Sequence, residues 1–310
     1  MGAHLLGLRG CSPSVLETIL QRAAYFSGRR KEKLNTLEGT SIAALFFEPS
    51  TRTKFSFEVA SRWLSADFYH FPVETSSVVK GESLLDTVTT LKAMGINGVI
   101  VRHEVSGILE WLSSQVKGVS LLNAGDGCHE HPTQALLDLY TIKRYYGSLK
   151  NLKVAMIGDI KHSRVVRSSL TGLLAMGAKV DLVGPPTMLP ETLAGEGVNV
   201  YWNWEEVIPY ADVVYLLRLQ KERQQKGLIP SLKEYTSLYG LTRERVDDLK
   251  EGAMVMHPGP LNLGVEITAE ALKYMENHSR VHLSINEQVE SGIIVRAAAL
   301  DYLLGDGNHG

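Results

Sequence analysis

Ser50, Thr51, Arg52 and Thr53 follow an apolar run and a proline in FFEPSTRTKFSFE, where a helical spacing of Phe57, Ala60 and Leu64 begins. Hydroxyls and a guanidinium at the first turn of a helix make a place to hold phosphate. Unpaired backbone N–H groups and the positive end of the helix dipole favour an anion there by about 0.3 to 2 kcal/mol, and the side chains add directed donors. Ser and Thr are equally at home as plain helix caps, so the local sequence leaves both readings open. A nucleotide P-loop is excluded, because no G-x-x-x-x-G-K-[ST] occurs.

A second cluster, Cys128, His129 and His131 in GDGCHEH, has the thiol and imidazole groups that bind zinc. Ligands this close in sequence lack the usual spacing of such sites, and no metal is expected. His131 reads either as a structural histidine at a helix start or as a donor to developing negative charge. Two polar stretches are long enough to be functional loops. Residues 75–83 are rich in serine and contain Lys80; residues 219–239 are charged, contain Gly227 and Pro230, and show no strong period. Runs such as QKERQQK are commonly solvated faces. Cys11 and Cys128 are too few for a disulfide framework and are expected to be free thiols.

The elements that must carry these groups follow from the apolar pattern. The chain has 310 residues, 44% hydrophobic, enough for two cores of about 150 residues each. Strand-length apolar runs at 41–47, 68–71, 99–101 and 120–122 alternate with helical stretches, one of them long, at 132–146. A second series starts at 154–157 and continues through a helix at 163–175 and runs at 180–183, 198–202, 213–217 and 253–256. The expected fold is α/β: two domains, each a parallel sheet flanked by helices, with a last helix near 287–304 returning to the first. The corresponding domains are 1–134 with 287–310, and 135–286. The net charge of -2 with scattered Lys and Arg gives no basic face for nucleic acid or anionic lipid. The N-terminus has no apolar run of signal-peptide or membrane-spanning length, so a cytoplasmic protein is expected. MIGDIKHS lacks G-x-G-x-x-G, which argues against a dinucleotide-dependent oxidoreductase.

Taken in order, FFEPSTRT, SSVVKGESLLDT at 76–87, HPTQALLD at 131–138, GDIKHSRVVRS at 158–168, LRLQKER at 217–223 and HPGP at 257–260 resemble the aspartate/ornithine carbamoyltransferase family over nearly the whole chain. The resemblance implies cofactor-free transfer of the carbamoyl group of carbamoyl phosphate to an amine. Such a reaction needs fixed donors around the carbonyl oxygen, and by resemblance these are Thr53, Arg102 in VIVRHE, and His131. Gln134 and carbonyls around Pro258 and Gly259 hold the carbamoyl NH2, and Ser50, Thr51, Arg52, Thr53 and Ser76 hold the phosphate. Arg164 is expected on an α-carboxylate and Arg218 with Gln220 on a side-chain carboxylate, which suits the planar fork of arginine.

That cationic set, with HPGP where the ornithine branch resembles H-C-L-P, implies L-aspartate as acceptor and N-carbamoyl-L-aspartate, a pyrimidine precursor, as product. The alternatives are a relative acting on ornithine or another amino acid, and a non-catalytic scaffold that kept the fold. The resemblance further implies a homotrimer with shared active sites, in which Ser76 and Lys80 enter the neighbour's site and Lys80 also meets aspartate. It implies a closure latch from Glu48 to Arg164 and Arg223. A regulatory chain or a dihydroorotase-like partner is compatible with the family and has no signature in the sequence. Two positions depart from the family pattern: Leu263, where many relatives are basic, and Glu104, where proline is common.

Overall fold

The structure is a computed structural model and describes residues 4–220, 228, 229, 231–278 and 280–305. The chain divides into two compact units, one running to Tyr140 and resuming at Val289, the other comprising Thr141–Gln288.

The first unit holds β1 (Ser41–Phe46), β2 (Asp67–Phe71), β3 (Gly98–His103) and β4 (Ser120–Asp126), all parallel in the order β2-β1-β3-β4. Around them in sequence are α1 (Pro13–Ser27), α2 (Thr51–Trp63), α3 (Leu84–Ala93), α4 (Ile108–Gln115) and the start of α5 (Pro132–Tyr146). One core gathers Ala43, Leu45, Val99, Val101 and Leu121 of the sheet with Val88 of α3 and Leu109 and Leu112 of α4. A strand buried on both faces reads as a near-continuous apolar run, which is why 41–47 and 120–122 stood out in the sequence.

The second unit holds β5 (Lys153–Ile157), β6 (Lys179–Val183), β7 (Val198–Tyr201), β8 (Val213–Leu216), β9 (Met254–Met256) and β10 (His282–Leu283), parallel throughout in the order β10-β9-β8-β5-β6-β7. Its helices are α6 (Arg164–Ala175), α7 (Leu232–Tyr239), α8 (Arg243–Asp248) and α9 (Ala269–Asn277), and α10 (Ile285–Leu304) ends the described chain. The core packs Ala155, Ile157, Val214, Leu216 and Val255 against Trp204, Val246, Ala271 and Met275. Both parallel sheets and the long helices at 132–146 and 287–304 agree with the sequence reading. The stretch 219–239 differs: its last third is α7, started by Ser231, whose hydroxyl accepts the Glu234 N–H.

In both units, strand register brings loops together at one end of a sheet. Phe46 of β1 pairs with Arg102 of β3, and His103 with Asp126 of β4, so the segments leading to Ser50, from Arg102 and toward His131 leave from neighbouring carboxyl ends. The β3–β4 register slips between Val101 and His103, placing Ala124 and Gly125 opposite Arg102. Such irregularities re-aim side chains beside functional sites. In the second unit, Ile157 pairs with Leu216 and Tyr215 with Met256, so the chain leaves β5 toward Arg164, β8 toward Arg218 and β9 toward His257 from three adjacent strands. Ligands of open α/β sheets gather at such carboxyl ends.

Candidate active site

Ser50 stands at the N-cap of α2 in an extended conformation, φ -162° and ψ 96°, yet its side chain makes no capping hydrogen bond. At six other helices that role is filled: Ser12, Ser83, Ser163, Ser231, Thr242 and Thr268 each accept a first-turn N–H. The first turn of α2 also has no acidic residue. The Ser50 hydroxyl is therefore not spent on a structural cap, and a first turn without an acidic residue is one that suits an anion. Thr53 is buried on this turn, while Thr51 and Arg52 face solvent.

Arg102 projects from the end of β3, with Nη1 donating to the Ala124 carbonyl at 3.2 Å and Nε 3.4 Å from the Glu48 carboxylate. His131 and Gln134 are both buried at the start of α5, and the Gln134 N–H donates to the His131 carbonyl at 3.0 Å. The Gln134 amide is fixed by donating to Asp138 Oδ1 at 3.1 Å, one turn further on. The charge of Asp138 in turn acts on Arg296 of α10, whose guanidinium lies 5.2 Å from the Phe57 ring and donates to the Gly292 carbonyl at 3.1 Å. Burial pushes the Arg296 pKa down to about 10, with Asp138 pulling it up and Arg52 pushing it down. It therefore stays charged at neutral pH. The turn before His131 hangs on Asp126, which accepts from the Asn123 side chain at 2.7 Å and from the N–H groups of Gly107 at 2.6 Å and Glu130 at 3.1 Å. His129 also binds Asp126, at 3.0 Å. Cys11 and Cys128 are free thiols, and the described residues contain no cluster of three or more His, Cys, Asp or Glu arranged to hold a metal ion.

Ser76 and Lys80 lie on two consecutive 3-10 turns, Val73–Thr75 with Ser76 as its C-cap, and Ser77–Lys80. The Ser76 hydroxyl donates to the Val73 carbonyl at 2.9 Å, and Lys80 is exposed.

In the second unit, Ser163 caps α6 by accepting the Val166 N–H, and Arg164 is the first, buried residue of that helix. Arg218 is half-buried, with Nη1 3.5 Å from the Gln220 carbonyl oxygen of the side-chain amide. The backbone around this pair is held by two buried carboxylates: the Leu219 N–H donates to Glu266 at 2.8 Å and the Gln220 N–H to Asp159 at 3.3 Å. Tyr235 of α7 is buried beside both acids, and burial first, then Glu266 and Asp159, push its hydroxyl far above the usual pKa. Pro258 and Gly259 follow β9, with Gly259 at φ +60° and a cis bond to Pro260. Arg223 lies outside the described residues.

The supporting residues Asp126, Asp138, Asp159, Glu266 and Arg296 escaped the sequence reading. Only Asp138 had a usable signal, its i+4 spacing from Gln134 on one helical face.

The chain matches the carbamoyl-phosphate-binding domain model of the aspartate/ornithine carbamoyltransferases over residues 3–144 and the Asp/Orn-binding domain model over 150–303. It is 48% identical to the aspartate carbamoyltransferase catalytic subunit of Moorella thermoacetica, covering 98% of each chain. It is likewise 48% identical to that of Natranaerobius thermophilus, covering 99% of this chain and 97% of the other. Among solved structures it resembles aspartate transcarbamoylase from Trypanosoma cruzi in complex with carbamoyl phosphate and aspartate, with 32% identity, a TM-score of 0.87 and coverage of 98% and 97%. The same enzyme in complex with N-(phosphonacetyl)-L-aspartic acid also superposes at a TM-score of 0.87, with 32% identity and coverage of 98% and 96%. With both domain models matched in order and relatives aligned end to end, the chain belongs to the aspartate/ornithine carbamoyltransferase family.

Proposed function

We propose that the protein transfers the carbamoyl group of carbamoyl phosphate to the α-amine of L-aspartate, giving N-carbamoyl-L-aspartate and phosphate. The observation that carries this reading is the near-complete alignment with an enzyme solved with both of those substrates, at 32% identity. The hydroxyl of Ser50, which caps no N–H at the start of α2, supports it.

In this reading, Ser50, Thr51, Arg52 and Thr53 hold the phosphate at the start of α2. Thr53, Arg102 and His131 donate to the carbonyl oxygen, and Gln134, with the carbonyls of Pro258 and Gly259, holds the carbamoyl NH2. Arg164 takes the α-carboxylate of aspartate, and Arg218 with Gln220 takes its side-chain carboxylate. The neutral amine attacks the carbamoyl carbon, the C–O bond to phosphate breaks, and a departing phosphate oxygen accepts the amine proton. His131 is then an electrophilic donor, and no protein group is required as general base. Binding of both substrates and closure by Glu48 toward Arg164 and Arg223 supply the orientation. Ser76 and Lys80 act in the site of a neighbouring subunit of a cytoplasmic homotrimer.

The test is a colorimetric assay of the ureido product with aspartate and ornithine offered in parallel. Product with aspartate alone is expected; product with ornithine alone overturns the assignment.

A further inference from the structure

Glu266 lies on the loop between β9 and α9, is 2% exposed, and has both carboxylate oxygens committed. Oε1 accepts the Leu219 N–H at 2.8 Å and the Asn262 side-chain amide at 2.8 Å. Oε2 accepts the Asn262 N–H at 2.8 Å and faces His257 Nε2 at 3.7 Å. His257 is also buried, 1% exposed, and its Nδ1 accepts the Gly259 N–H at 2.9 Å. An accepting Nδ1 leaves the proton of a neutral ring on Nε2, the nitrogen turned toward Glu266.

Leu219 is the residue between Arg218 and Gln220, and Gly259 is the residue whose neighbourhood closes the carbamoyl pocket in the proposed function. One carboxylate thus grips the backbone of both segments directly, at Leu219 and at Asn262, and stands 3.7 Å from the ring of His257, whose other nitrogen holds the Gly259 N–H. We propose that Glu266 is a positioning residue that sets the aspartate-binding pair Arg218 and Gln220 in register with the His257-Pro258-Gly259 turn. It touches neither substrate. The inference rests on the proposed reaction and adds to it the part that fixes two otherwise separate loops to each other. The charge state fits the role: burial works to raise the Glu266 pKa, and the His257 ring, the Leu219 N–H and Asn262 together outweigh it and hold the group below the ordinary carboxylate value.

Glu266→Gln keeps the shape but turns an NH2 toward at least one of the N–H donors now satisfied. Kinetics are measured per active site, titrated with N-(phosphonacetyl)-L-aspartate, alongside the thermal midpoint. The expected result is an aspartate KM raised about tenfold or more, while phosphate, as an inhibitor competing with carbamoyl phosphate, keeps its affinity within about twofold. A purely structural role lowers the midpoint and the number of titratable sites but leaves the aspartate KM of the remaining sites unchanged, and that result overturns the inference.

His257→Asn provides a second route that leaves the carboxylate in place. Its side-chain oxygen can still accept the Gly259 N–H, but the ring facing Glu266 is gone. A several-fold rise in aspartate KM is expected, and the double variant is expected to be no worse than Glu266→Gln alone, because both changes break one linkage. Should Glu266→Gln fail to fold, an unchanged aspartate KM in His257→Asn overturns the inference by itself. A parent protein that makes no carbamoyl-aspartate overturns the functional reading and this inference with it; an active parent with unaffected variants overturns this inference alone.

Discussion

Arg102 and Glu48, at the ends of adjacent strands, form an ion pair with 3.4 Å between Nε and Oε2, and both side chains are largely shielded from solvent. A carboxylate beside a cation meant for an anionic substrate weakens that cation unless the carboxylate has a second use. Transfer of Glu48 to Arg164 and Arg223 in the proposed closure would be such a use. Glu48→Gln is therefore expected to fold normally, raise the aspartate KM, and leave phosphate binding unchanged or tighter. Solution scattering with the bisubstrate analogue checks this: equal compaction in variant and parent contradicts the latch.

Arg218→Ala removes the charge-assisted contact proposed for the side-chain carboxylate of aspartate, worth about 1.5 to 3 kcal/mol. The aspartate KM is expected to rise by about tenfold to a hundredfold, with carbamoyl phosphate binding nearly intact. Steady-state kinetics with each substrate varied in turn decide the matter, since equal losses for both substrates argue against its assignment to aspartate.

His131→Ala removes one of the donors proposed for the carbonyl oxygen. Loss of such a donor costs about 2.7 to 4 kcal/mol of barrier, so turnover is expected to fall by roughly a hundredfold or more. Near-normal turnover at saturating substrates sinks the electrophilic role.

Lys80 is exposed on its turn, as an arm serving a neighbouring subunit requires. In a cyclic trimer, Lys80→Ala and Arg52→Ala chains are each inactive, but any mixed trimer has one interface joining an intact Arg52 to an intact Lys80. Random mixing of equal amounts makes about three quarters of the trimers mixed, with one working site in three, so about a quarter of parental activity is expected after joint refolding. Recovery of none, under conditions where the parent refolds well, rules out shared sites.

The fold was legible where burial imposed a period. The almost wholly buried β1, the fully buried β4 and the long α5 declared themselves as apolar runs or helical stretches. The two-residue β10 and the short α8 escaped, because elements of that length complete too little of any period. The helix α3 was hidden by its threonines and α7 by the charged stretch before it. In the site, Ser50 to Thr53 spoke through local residue types, whereas Arg164 and Arg218 acquired roles only through family resemblance, since a lone arginine has no spacing to read. Glu266 and Arg296 could not be found this way: the partners of Glu266 at Leu219 and His257, and of Arg296 at Phe57 and Asp138, meet only after the chain has folded.

Gly292, in the interior of α10, is where helix propensity alone recommends alanine, with an expected gain of about 1 kcal/mol. The packing reverses that advice. A methyl group there would stand 2.6 Å from Nη1 of Arg296, a guanidinium that burial leaves little room to swing aside. Gly292 is thus a berth for a charged group in the interior, and a thermostability programme that fills helix glycines by rule would be expected to dislodge Arg296, and with it the Asp138 that steadies Gln134, trading catalytic competence for a local gain in helicity.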